Sequence, residues 1–99
     1  MFAVVREATY DAEKKAGASK QVEEFARIRA QQPGYRGVVT VDAGDGRTLT
    51  IALWETEEQS QAGSAKITPE AERLMGPLWT TPSRVIGSGE VIYNDLAKS

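Results

Sequence analysis

Apolar and polar residues alternate along Thr48-Leu49-Thr50-Ile51-Ala52-Leu53-Trp54, which predicts a β-strand with two unlike faces. Leu49, Ile51 and Leu53 share one face and require a cover. Thr48, Thr50, Ala52 and Trp54 share the other, a surface suited to meeting another sheet or lining a cavity. The run Val38-Val39-Thr40-Val41 is similarly β-branched. Between the two runs, Asp42-Ala43-Gly44-Asp45-Gly46-Arg47 contains an Asp-Gly step, so the pair reads as a hairpin with a tight reversal.

The remaining pattern arranges itself around that hairpin. Phe2 to Thr9 reads as a first strand, with Phe2, Val4 and Arg6 alternating with Ala3, Val5 and Glu7. Its start is apolar on both sides, as in an inner strand. Tyr10 to Gly17 is a polar connection with room for a short helical turn. Ala18 to Gln32 predicts a helix, with Ser19 as N-cap and an apolar stripe of Val22, Phe25 and Ile28. Pro33-Gly34 ends it. Thr56 followed by Gln59 is a capping box, which predicts a helix from about Glu57 to Ala62, loosened at Gly63-Ser64. Thr68-Pro69 is a second start signal for a helix carrying Ala71, Leu74, Met75 and Leu78, kinked or ended at Gly76-Pro77. Thr80 to Ser83 reads as a loop and Arg84 to Tyr93 as the last strand, with a bulge signal at Gly87-Ser88-Gly89. Val85, Gly87, Gly89, Val91 and Tyr93 are expected on one side, and Asn94 to Ser99 forms a polar tail.

Composition narrows the chemistry. A chain of 99 residues is expected to form one domain, 1–99, with a modest core that an oligomer would supplement. The net charge of −2 leaves no basic footprint for nucleic acid. No apolar run is long enough for a membrane span, and a cytoplasmic location is expected. There is no Cys and no His. Disulfides, thiolate metal sites, Cys nucleophiles and His-based triads are excluded, and no metal or cofactor is expected. Catalysis would fall to Asp, Glu, Tyr, Arg, Lys or Asn, or to the substrate itself.

The element order strand, helix, strand, strand, helix, strand is the α+β ferredoxin-like βαββαβ arrangement, an antiparallel sheet with helices on one face. Gln32-Pro33-Gly34-Tyr35-Arg36-Gly37 after the first helix, and Leu53-Trp54-Glu55 before an acid-rich helix start, carry a family resemblance. The chain resembles the antibiotic biosynthesis monooxygenase-like family over nearly its whole length. That resemblance implies a dimeric α+β barrel in which two sheets pack face to face. The haem-degrading branch uses an Asn on the first strand and a Trp and a His on the second helical region. Here that strand carries Arg6 and Glu7 and the chain has no His, so the resemblance does not extend to haem degradation. The quinone-forming branch needs no metal or flavin and holds a phenolic substrate, whose carbanion reacts with oxygen, with Asn, Trp, Tyr and Arg. The chain offers these types as Asn94, Trp54, Trp79, Tyr35, Tyr93 and Arg84, without a positional match.

The candidate ligand-binding residues are Tyr35, Trp54, Met75, Trp79 and Arg84. Trp54 either plugs the barrel or walls a pocket. Met75 beside Trp79 is either core or a soft face for a flat aromatic ligand. Tyr35 is either a packing cap or a phenol donor. Arg84 is either an ion-pair partner or an anion site. The expected function is that of a homodimer binding a small aromatic or phenolic metabolite, as a cofactor-independent monooxygenase or as a non-catalytic binding module.

Overall fold

The computed structural model describes residues 1–96. Its strands are β1 (Phe2–Tyr10), β2 (Tyr35–Gly44), β3 (Arg47–Trp54) and β4 (Trp79–Glu90), joined as one antiparallel sheet in the order β2-β3-β1-β4. Helices α1 (Ala12–Ala16) and α2 (Ser19–Ala30) follow β1. Helix α3 (Glu57–Leu74) and a 3-10 turn over Gly76–Leu78 lead into β4. This is the ferredoxin-like order that the sequence implies. Of the expected polar tail, residues 97–99 lie outside the described residues.

The hairpin fixes the register. Asp45 and Gly46 both have positive φ, at 56° and 81°, the signature of a two-residue type I′ turn. Gly46 is also close against the Tyr10 carbonyl, and its own carbonyl accepts from Tyr10 N at 2.9 Å. A side chain there would meet that backbone. From this turn the pairs run Thr48↔Ala8, Thr50↔Arg6, Ala52↔Val4 and Trp54↔Phe2 on the helix side of the sheet. Leu49↔Glu7, Ile51↔Val5 and Leu53↔Ala3 fall on the other side. The helix side is the buried one: Thr48, Trp54, Phe2, Val4 and Ala8 are buried, whereas Ile51, Val39 and Val41 remain exposed. Within the chain, then, the Thr/Ala/Trp face lies under the helices and the Leu49/Ile51/Leu53 face is open.

Two apolar clusters sit between sheet and helices. One joins Ala18, Leu74, Met75 and Leu78, with Val22, Phe25 and Ile28 of the α2 stripe packed against it. The other joins Phe2, Val4 and Trp54, with Tyr35, Ala52 and Ile67 around it.

Four expectations need correction. Ser19 is not an N-cap; it is the first residue of α2, and the cap position is Ala18, which makes no side-chain cap bond. Ala18 is 4% exposed and belongs to the core, so packing decides that terminus. Helix α3 is continuous where a break at Gly63-Ser64 and a restart at Thr68-Pro69 were expected. Gly63 faces the Trp54 ring, and a Cβ there would collide with it. The glycine therefore permits a close helix–sheet approach and does not end the helix. Thr68 donates to the Ser64 carbonyl at 2.8 Å as an interior residue, and Pro69 lies within the helix. The final strand starts at Trp79, so Thr80 to Ser83 are strand and not loop, and it ends at Glu90. β4 is an edge strand, where Pro82 breaks no outer ladder. Val5 pairs with Gly87 and Arg6 with Val85, so Ile86 is skipped. That bulge puts Val85 and Gly87 on opposite faces, contrary to the simple alternation expected for that strand.

Candidate functional site

Between the two clusters lies a cavity of about 200 Å³. Its floor is the helix side of β1 and β3: Val4, Arg6, Ala8, Thr48, Thr50, Ala52 and Trp54. Its roof is Ile67, Thr68, Ala71 and Glu72 from α3 and Met75 just past its end, with Phe25 and Arg29 from α2. Trp79, Pro82 and Ser83 of β4 close one side. An apolar cavity of about 150 Å³ holds one benzene, so this space suits a small aromatic body. Strand alternation supplies the floor, and the small residues Ala8, Thr48, Thr50 and Ala52 leave room where Leu or Ile would fill it.

The expected site residues divide. Trp54, Met75 and Trp79 line the cavity together. Trp54 is 2% exposed and anchors the second cluster; it walls the cavity as expected, but it lies under the helices and away from the open face, so it does not plug a barrel between two sheets. Tyr35 does not reach the lining; it packs edge-on against Trp54, with ring centroids 5.7 Å apart at 79°. Arg84 stands on the open face, where its Nη2 donates to Glu7 Oε1 at 2.9 Å. Arg47 Nε donates to the other oxygen, Glu7 Oε2, at 2.7 Å. These partners, Arg84 first, hold the Glu7 carboxyl below its ordinary value.

Two cationic cavity residues, Arg6 and Arg29, are not among the expected site residues. Arg6 is partly buried on β1, and burial lowers its pKa. The signal was present: Arg6 alternates in phase with Phe2 and Val4, so a charge falls on the core side of an inner strand. Arg29 follows Phe25 by four residues, at the edge of the α2 stripe, and its guanidinium lies 5.3 Å from the Phe25 ring centroid. Arg29 Nε and Trp79 Nε1 are buried without a hydrogen-bond partner among the described residues. No group of three acidic side chains among the described residues could hold a metal ion.

This ferredoxin-like sheet roofed by helices over an aromatic-walled cavity has the same fold as solved structures named antibiotic biosynthesis monooxygenases. Solved structures match it along nearly the whole chain. SnoaB from Streptomyces nogalater, a cofactor-independent oxygenase solved in a mutant form, superposes with a TM-score of 0.71 at 20% identity, covering 94% of each chain. A structure named as an antibiotic biosynthesis monooxygenase gives 0.72 at 14% identity, covering 94% of this chain and 100% of its own. A protein of unknown function from Nitrosomonas europaea, NE2512, gives 0.76 at 12% identity, covering 99% and 95%. At such identities the likeness is one of fold. No protein-family model matches the chain, and no curated protein matches it in sequence.

Proposed function

We propose that the protein is a homodimer that binds a small aromatic or phenolic metabolite in the cavity and oxygenates it without a cofactor. The observation that carries this reading is the cavity walled by Trp54, Met75 and Trp79, on a scaffold shared with a cofactor-independent oxygenase. Bound there, the substrate would be shielded from water and held as its anion. The balanced reaction for an anthrone-type substrate turns a ring CH2 into C=O: one O2 is consumed, one oxygen enters the product and the other leaves as water with the two hydrogens.

The dimer is supported by what one chain leaves bare. Val39 is 50% exposed, Val41 44% and Ile51 36% on the open face. Beyond β4, Ile92 is 97% exposed and Tyr93 80%. A second sheet packed against the first would cover the open face. No helix among the described residues is long and apolar enough to cross a membrane; a cytoplasmic location is part of the same proposal.

The test is aerobic incubation of the purified protein with anthrone-type phenols, followed by quinone absorbance. Turnover above the spontaneous rate is the expected result. Ligand-dependent quenching of tryptophan fluorescence without product would favour the second reading, a non-catalytic binding module, which the lack of any His or Cys supports.

A further inference from the structure

Apart from Arg27, which is exposed on α2, the guanidiniums of this protein fall into two groups. Arg36, Arg47, Arg73 and Arg84 are ion-paired and at least half exposed. Arg6 and Arg29 line the cavity, and neither has an ion-pair partner among the described residues. Burying part of an unpaired charge is costly, and a fold retains it only where something compensates. The Trp79 indole N–H adds a buried donor with no acceptor. Buried donors of this kind call for a partner. Glu72 also lines the cavity, yet it is exposed and pairs with neither arginine. Glu7 is also among the lining residues, but its carboxylate is engaged on the open face by Arg47 and Arg84.

We propose that Arg6, assisted by Arg29 and the Trp79 N–H, selects ligands that carry an anionic oxygen, carboxylate or phenolate, on a flat apolar body. The inference rests on reading the cavity as an aromatic-ligand site, and it adds the charge of the ligand. A neutral carbonyl or hydroxyl could accept from these donors but would leave the arginine charge uncompensated, and a cation would oppose it. Arg6 stands on a central strand, held between β3 and β4, so its backbone is fixed before the ligand arrives.

The test compares 2-naphthoate with its neutral isostere 2-naphthamide by titration calorimetry on the purified protein. The acid is expected to bind about 10- to 100-fold tighter, the range for a hydrogen bond to a charged group. Arg6→Gln should remove that margin and leave amide binding in place. Arg6→Lys should keep part of it, and Arg84→Gln, outside the cavity, should keep all of it. A parallel titration of 2-naphthol, followed by naphtholate absorbance, separates the two oxygen sources: ionisation moved to lower pH supports the phenolate. Equal binding of acid and amide by the wild-type protein, with the naphthol ionisation unmoved, overturns the anion proposal and leaves the cavity reading standing. Failure of every probe to bind overturns both.

Discussion

Glu7 is shared by two arginines that arrive from different strands, Arg47 at the start of β3 and Arg84 in β4. Its carboxyl is held below the ordinary value, so in the folded protein it stays ionised where an unfolded chain would take up a proton. The resulting stabilisation is complete above the ordinary glutamate range, about pH 4–5, and is lost as pH falls through the lowered value. Glu7→Gln should therefore lower the melting temperature at pH 7, and the gap to wild type should close toward pH 2. Thermal melts across that range measure it, and a constant gap would show that Glu7 carries no linkage. At this scale the sequence was partly readable. Arg84 as an ion-pair partner was one of its two expected roles, because an arginine at a strand end usually finds a carboxylate. Arg6 is less legible, because its alternation with Phe2 and Val4 marks a core-facing position while its charge marks a solvated one.

Helix α3 shows how packing overrides local punctuation. Thr56 caps it as the sequence implies, accepting from Gln59 N at 3.1 Å. Gly63 and Thr68-Pro69 then read as a stop and a restart, yet the helix runs through both. An interior proline costs about 3 kcal/mol, and only tertiary contact along the helix offsets that. Such contact is what a propensity reading lacks. Gly63 is the contact point, set against Trp54. Gly63→Ala would gain about 1 kcal/mol of helix propensity and lose about 1–3 kcal/mol to overpacking against a ring that is 2% exposed. Overpacking should win. The expected result is a net loss of about 1 kcal/mol in urea unfolding, with a shift in Trp54 emission. A net gain would mean that the helix lifts freely from the sheet. The strand boundaries of β4 were missed for a related reason: Pro82 reads as a loop residue, and only the strand order reveals that it sits on an edge.

For the molecule as a whole, the topology followed from element order alone, since a hairpin flanked by two strand–helix connections leaves few ways to close one sheet. The cavity was less visible, because it forms between elements that are far apart in the chain. The open face supplies the prediction at this scale. Val39, Ile51, Val5 and Gly87 form one cross-strand row on it. If this row meets a second copy, Ile51→Lys should convert the assembly to a 10.8 kDa species in sedimentation with an unchanged circular dichroism spectrum. A wild-type protein that already sediments at that mass would dismiss the dimer.

Arg6 and Glu7 are consecutive residues of β1, one turned inward and the next outward. A slip of that strand by a single residue would exchange them. An acid would enter the space now lined by the arginine, and the two outer arginines would face a third cation. The correct alignment of β1 is thus guarded by charge as well as by apolar pattern, and a misaligned chain would repel the very ligand that the native one attracts.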